Sequence, residues 1–240
     1  MTLKGTAAKR IGDGVTPTID ALLNSVRERG GFEGLKNALL EEIALSENYL
    51  FEKDAKGKSP FYAFVKTFYG EQEYINLVSD CLVACLLEDK LITEQDLKER
   101  KACVAVKGYG GAGISGALTS RWAIPQILVS DKASRHNGKS GSIFTAREPK
   151  MEDKVIVLDD TFDSGGSAKE LIGKLRAVVS EIICCEVVQK RGYGDLEGSG
   201  VKLCCVFASD ELGGTIDEVR RDLEGSDLVD QLRELGKTRG

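Results

Sequence analysis

The sequence predicts an α/β fold built on a doubly wound, mainly parallel sheet. Short apolar runs rich in β-branched residues, which are typical of buried strands, recur at 102–106, 126–129, 155–158, 182–188 and 203–207. Segments with a helical spacing of apolar residues stand between several of these runs. Strands that alternate with helices favour parallel pairing, with helices packed on both faces of the sheet.

The part of the chain before the first strand has a helical pattern. Residues 16–48 carry apolar residues at spacings of three and four and are interrupted at Arg29-Gly30-Gly31, which predicts two helices. Residues 74–87 form a strongly apolar helical run. Further on, helices are predicted over 115–122 and 168–179. The last ~30 residues are highly charged and helix-prone, which is typical of a peripheral tail.

The composition excludes several classes of protein. The 240 residues are 42% hydrophobic and 30% charged, which suits one globular domain with an appendage or two small domains. A net charge of −5 and a pI of about 5.2 provide no basic field for a nucleic-acid partner. Every apolar run is well short of the ~20 residues of a membrane span. The first ten residues lack the apolar core of a signal peptide.

The seven cysteines indicate the redox environment. They lie in apolar runs, and an odd number in such runs favours buried thiols in a reducing cytosol, so we expect a cytoplasmic location. The chain has one histidine and no Cys-x-x-Cys pair, so a zinc site is not expected.

The most informative segment is 155–167, which reads V-I-V-L-D-D-T-F-D-S-G-G-S. Asp159 and Asp160 follow the apolar residues, at the carboxyl end of a predicted strand, where open α/β sheets bind their ligands. The small and hydroxylated residues after them precede a helix, whose amino terminus favours a phosphate. Together these features predict a sugar-phosphate site. The alternative is an ordinary acidic turn, capped by Asp163 or Ser164.

Two other segments carry candidate site residues. Residues 107–113, K-G-Y-G-G-A-G, connect a predicted strand to a helix and permit the close backbone approach that a diphosphate needs, although tight packing alone also explains them. Residues 130–142 are polar and contain Lys132, Arg135 and the single histidine, His136. This segment is either a solvated surface loop or a lid whose cations close over a diphosphate.

The order of parts in 155–167 resembles the 5-phosphoribosyl-1-diphosphate (PRPP) signature of type I phosphoribosyltransferases. The resemblance implies that Asp159 and Asp160 hold the ribose hydroxyls and, partly through water and PRPP, a Mg²⁺ ion. The other PRPP-binding residues that it implies are Thr161, Asp163, Ser164, Gly165, Gly166 and Ser167, together with Lys107, Gly111 and Gly113 of the glycine-rich segment. Asp163 stands where the family usually has a second Thr or Ser.

Within that family the chain is most similar to orotate phosphoribosyltransferases. Their mobile loop resembles residues 131–138, D-K-A-S-R-H-N-G, which implies catalytic roles for Lys132, Arg135 and His136. Their hood over the base resembles residues 48–62, and a strand that ends in Asp-Arg resembles 187–191. The base-binding residues implied in this way are Lys53, Phe61, Tyr62, Lys190 and Arg191. The chain departs from the family at Arg135, Ala112 and Gln189, where the family has Lys, Lys and Asp.

The resemblance implies an enzyme that joins orotate to PRPP and yields orotidine 5′-monophosphate and diphosphate. The alternatives are a phosphoribosyltransferase that acts on another purine or pyrimidine base and a non-catalytic regulator that senses PRPP. The predicted organisation is a phosphoribosyltransferase-like domain over 45–210 with a hood at 45–70, together with a helical extension over 1–44 and a charged tail over 211–240 that lie outside the resemblance. The implied partners are PRPP and a nucleobase, without nucleic acid or membrane, and the implied assembly is a homodimer.

Overall fold

The computed structural model describes residues 19–28, 30–45, 71–107, 110–129, 144–145, 147–162, 166–189, 196 and 198–208. The predicted hood from residue 46 onward, the predicted lid and the predicted tail lie outside these residues. The helices are α1 (Ile19–Glu28), α2 (Gly31–Leu45), α3 (Gln72–Glu88), α4 (Glu94–Lys98), α5 (Ala112–Trp122) and α6 (Gly166–Leu175). The strands are β1 (Ala102–Val106), β2 (Gln126–Val129), β3 (Phe144–Thr145), β4 (Lys154–Phe162), β5 (Glu181–Gln189) and β6 (Lys202–Phe207).

The described strands form one sheet in the order β3-β2-β1-β4-β5-β6. β1 pairs in parallel with β2 and β4, and β5 pairs in parallel with β4 and β6. Only the short β3 runs antiparallel among these strands, against β2. The predicted doubly wound, mainly parallel α/β sheet is confirmed. Its parallel strands agree with the predicted apolar runs to within a few residues, whereas β3 was not predicted.

Two elements differ clearly from prediction: α6 ends at Leu175 and not at residue 179, and β4 is longer than predicted. The apolar pattern predicted a strand over 155–158, whereas β4 continues to Phe162 and pairs with β5 as far as Gln189. The continuation arises because β5 is equally long and provides hydrogen-bonding partners beyond the apolar residues. Asp159 and Asp160 are therefore in the last part of the strand itself.

Each face of the sheet buries its own apolar layer. Along β4, Ile156 and Leu158 belong to the layer under α3 and α5, while Val155 and Val157 belong to the layer under α6. This alternation follows from the two-residue period of a strand. Burial on both faces explains why the central strands are continuously apolar, as in other parallel sheets.

The two amino-terminal helices join the first of these layers. Gly30, between α1 and α2, and Gly31, the first residue of α2, have φ angles of +79° and +58°, a left-handed backbone that glycine adopts readily. Leu22 of α1 and Leu35 and Leu39 of α2 are buried in the layer that α3 covers. The two predicted helices are confirmed, while the division of the chain into domains stays a prediction.

A buried ion pair joins α3 to α5. Asp80 of α3 is fully buried and accepts hydrogen bonds from Arg121 Nη2 at 2.8 Å and Trp122 Nε1 at 2.9 Å. Arg121 Nε donates to the same carboxylate at 2.5 Å. This contact fixes α5 against α3, and α5 is the helix that follows the glycine-rich segment.

All seven cysteines are free, and five of them are buried, so the prediction of buried thiols is confirmed. No helix among the described residues has the length and apolar character of a membrane span.

Candidate functional site

Asp159 and Asp160 lie near the carboxyl end of the central strand β4. Asp160 is 4% exposed and Asp159 is half-buried. The backbone N–H of Asp160 donates to Asp159 Oδ1 at 2.9 Å, and the N–H of Thr161 donates to Asp160 Oδ1 at 3.0 Å. Each carboxylate is thus held by the backbone of the residue that follows it, which orients both side chains before any ligand arrives.

The glycine-rich segment approaches this carboxylate pair closely. A Cβ added at Gly110 would overlap with Oδ1 of both Asp159 and Asp160. A Cβ at Gly111 would lie 2.5 Å from the Leu158 carbonyl oxygen and 2.9 Å from Val106 Cγ1. Both glycines are buried. The absence of side chains at these positions is therefore required by the packing of the segment against β4.

Lys107, the first residue after β1, forms an ion pair across the sheet edge. Its ammonium contacts the carboxylate of Glu170 on α6, and Lys174 Nζ contacts the same carboxylate at 3.0 Å. Hydrogen bonds from Lys107 and then Lys174 hold the pKa of Glu170 below its usual value. The ion pair links the glycine-rich segment to α6, the helix that follows the predicted 5′-phosphate loop.

Two helices begin beside the carboxylates. Gly111 is the residue before α5, so Gly113 lies in its first turn, and Gly166 is the first residue of α6. Helix amino termini favour negatively charged groups. The structure therefore gathers Asp159, Asp160 and both helix starts at one edge of the sheet.

Several predicted site residues cannot be located in this arrangement. Outside the described residues are Lys53, Phe61, Tyr62, Lys132, Arg135, His136, Asp163, Ser164, Gly165, Lys190 and Arg191. Ser167 is described only as a backbone position within α6. The predicted roles of all these residues stay predictions.

Sequence reasoning missed two residues of this region. Gly110 belongs to the predicted segment but was not among its predicted ligands, and only the folded chain shows its closeness to the acids. Glu186 of β5 is fully buried and pairs in register with Asp159. A single acid inside an apolar strand was the available signal for Glu186, since carboxylates are seldom fully buried without a reason.

The carboxylates are chemically suited to Mg²⁺, a hard cation that takes one or two protein carboxylates and completes its shell with water and substrate oxygens. No group of three or more potential metal ligands occurs among the described residues, so a protein-only metal cage is not found there. Two adjacent carboxylates beside two helix starts are suited instead to a ligand that carries vicinal hydroxyls and phosphates.

No protein-family model matches the chain. The orotate phosphoribosyltransferase of Staphylococcus epidermidis is 28% identical over 148 residues, which are 60% of this chain and 66% of that protein. The chain therefore spans slightly less than two thirds of this curated relative. Among solved structures, the UMP synthase of Leishmania donovani aligns with a TM-score of 0.50 at 18% identity, over 68% of this chain and 33% of that one.

A second solved structure is the orotate phosphoribosyltransferase of Aeropyrum pernix, with a TM-score of 0.48 and 23% identity, over 66% of this chain and 83% of that one. The chain is thus similar in sequence to an orotate phosphoribosyltransferase, and it shares its fold with the Leishmania UMP synthase. Among type I phosphoribosyltransferases, the chain is most similar to the orotate phosphoribosyltransferases. The resemblance inferred from the sequence motifs is confirmed.

Proposed function

We propose that the chain is a magnesium-dependent phosphoribosyltransferase that joins orotate to PRPP and releases diphosphate. In this reaction a ring nitrogen of orotate forms a bond to the anomeric carbon of the ribose while the bond from that carbon to diphosphate breaks. The product is orotidine 5′-monophosphate, a step of pyrimidine synthesis. The relatives that carry the orotate activity in their names support this substrate.

One observation carries the proposal: the closeness of the Asp159-Asp160 pair to the glycine-rich segment. A Cβ at Gly110 would overlap with both carboxylates, so the two elements are separated by little more than a contact. A ribose whose hydroxyls bind the acids would then present its 1-diphosphate to the segment and to the start of α5. Its 5′-phosphate would lie toward the start of α6.

The protein contributes mainly orientation and charge. Asp159 and Asp160 would bind the ribose hydroxyls, and the backbone hydrogen bonds to their Oδ1 atoms hold them in place for this role. Mg²⁺, held by these carboxylates partly through water and PRPP oxygens, would neutralise charge on the diphosphate. Lys132, Arg135 and His136 would close over the leaving diphosphate and exclude water.

A single assay tests the proposal. The purified protein is given PRPP and Mg²⁺ with orotate, uracil, hypoxanthine or adenine, and the release of diphosphate is measured. We expect diphosphate to be released with orotate and not with the other three bases. Release with one of the other bases would keep the reaction class and correct the substrate, whereas PRPP binding without release would identify a PRPP-sensing regulator.

We further propose a homodimer, in which the lid of one protomer reaches the site of its partner, as the family resemblance implies. Arg135→Ala and Asp160→Asn should then each be nearly inactive alone and partly active when mixed. In a mixed dimer one site carries both defects and the other carries neither. Mixed dimers that form and stay inactive would contradict the shared site.

A further inference from the structure

Gly110 is the point at which the glycine-rich segment and the carboxylate pair meet. A Cβ at this position would overlap with Asp159 Oδ1 and Asp160 Oδ1 and lie 3.1 Å from Asp160 Cγ. Real Cβ atoms essentially never approach other heavy atoms to less than 3.0 Å. An alanine at residue 110 therefore requires either the carboxylates or the segment to move.

The carboxylates resist such a movement. The Oδ1 atoms that a Cβ at Gly110 would meet are the same atoms that accept the N–H groups of Asp160 and Thr161. Rotating the side chains away would break both hydrogen bonds at the end of a buried strand. Because unmade buried hydrogen bonds are costly, the glycine-rich segment is the part expected to yield.

We propose that Gly110 is a positioning residue that sets the separation between the glycine-rich segment and the carboxylate pair. This inference rests on the proposed function, in which the ribose hydroxyls bind the carboxylates while the diphosphate binds the segment. Contact with both at once requires the short separation that a bare Cα allows. A side chain at residue 110 increases the separation and leaves one half of PRPP poorly held.

Two ligands distinguish this role from a general loss of structure. PRPP contacts both halves of the site, whereas ribose 5-phosphate lacks the diphosphate and contacts only the carboxylates and the 5′-phosphate loop. Gly110→Ala should weaken PRPP binding by at least about tenfold, while ribose 5-phosphate binding changes by less than about twofold. Calorimetry with Mg²⁺ present measures both. Unchanged PRPP affinity, or equal losses for the two ligands, would overturn the proposal.

The same region offers matched glycine controls. A Cβ at Gly116 of α5 meets nothing within 4 Å, so Gly116→Ala should leave both affinities unchanged and the melting temperature equal or slightly higher. Gly111→Ala brings a Cβ against the Leu158 backbone and should lower the melting temperature. A selective loss of PRPP binding in Gly110→Ala that is absent in Gly116→Ala supports the positioning role.

A stability comparison tests the contact without any ligand. In a background with Asp159→Ala and Asp160→Ala, the atoms that a Cβ at residue 110 would meet are removed. Gly110→Ala should then cost less stability to urea than it costs in the wild type. Equal costs in both backgrounds would overturn the proposal.

This comparison also applies if Gly110→Ala alone does not fold. A folded triple variant supports the contact, and a triple variant that also fails to fold overturns it. Since no PRPP is needed, this result is independent of the proposed function. A wild-type protein that does not bind PRPP would instead contradict the proposed function itself.

Discussion

The two ends of β4 use buried carboxylates in different ways. At the amino end, Asp153 is 1% exposed, lies 2.7 Å from the guanidinium of Arg147, and accepts the backbone N–H of Lys150 at 2.8 Å. At the carboxyl end, Asp159 and Asp160 accept the N–H groups of the residues that follow them and lie against the bare Cα of Gly110.

The difference separates an acid that is neutralised within the fold from the acids that we propose to bind a ligand. A carboxylate opposite a guanidinium is neutralised within the fold, and removing Arg147 would leave the charge of Asp153 buried and unpaired by it. Carboxylates beside a glycine-rich segment and two helix starts lie where open α/β sheets bind ligands. Burial alone does not distinguish the two cases, because both ends of the strand contain a buried acid. The groups that surround each acid distinguish the two cases.

The largest expected effect is on stability at the amino end. Asp153→Ala leaves the Arg147 guanidinium and the Lys150 N–H without this acceptor and should lower the free energy of unfolding by about 3 kcal/mol. Urea denaturation measures the loss. Glu152→Gln, at the exposed neighbouring position, is the matched control and should not shift the midpoint. A stable Asp153→Ala variant would remove the proposed contrast between the ends.

The next effect is on binding at the carboxyl end. Asp159→Asn and Asp160→Asn keep an Oδ1 acceptor for the backbone N–H but lose the charge. Each should weaken PRPP binding by about 1.5–3 kcal/mol, as expected for a hydrogen bond to a charged group. Their urea midpoints should stay close to the wild type. Calorimetry and denaturation on the same samples check this, and wild-type affinity in both variants would contradict the assignment of the site.

Buried thiols on the strands beside the middle of β4 make the stability of the protein depend on pH. Burial raises the pKa of Cys103 and of Cys184 from 9.0 to about 12. Above pH 9 the unfolded chain releases these protons before the folded chain does, so stability should fall as pH rises toward 12. The slope is about 1.4 kcal/mol per pH unit for each thiol. Urea midpoints at pH 8 and pH 10 measure the fall. Cys103→Ala should make it shallower, and an unchanged slope would be contrary evidence.

The smallest effect concerns the ion pair at the sheet edge. If Lys107 serves the diphosphate, Lys107→Met should weaken PRPP binding by about threefold to tenfold. Glu170→Gln removes the competing carboxylate and should leave the affinity equal or higher, with no measurable change of the urea midpoint because the pair is exposed. Weaker PRPP binding in both variants would mean that the ion pair itself holds the site together.

The outcome of the sequence predictions follows the strength of each local signal. β1 over 102–106 and β2 over 126–129 were predicted to the residue, because each apolar run is bounded by polar or turn-forming residues. The end of β4 was placed at residue 158, since Asp and Thr have no apolar period to follow. Pairing with β5 decided that boundary, and no property of the segment 159–162 alone indicates it.

In the candidate site, too, some features were predicted from the sequence and others became visible only in the folded chain. The order of acids, hydroxyls and glycines over 159–167 predicted the candidate ligands, because each offers a chemical group that would bind a sugar phosphate, and their roles stay predictions. Lys107 was predicted as a phosphate ligand, and the folded chain shows it in contact with Glu170, a residue 63 positions away. The prediction for Lys107 stays untested, and the ion pair identifies the residue with which a phosphate would compete.

Local patterns by themselves determined the alternation of strands and helices, the identity of the acidic pair and the presence of glycines where a phosphate can approach. These properties depend on residue type and short-range periodicity, and both can be read directly from the sequence. The tertiary structure alone decided that Gly110 contacts both carboxylates, that Glu186 lies in register with Asp159, and that Asp153 is neutralised by Arg147. Each of these depends on how separate elements are packed together, and packing is a property of the whole fold.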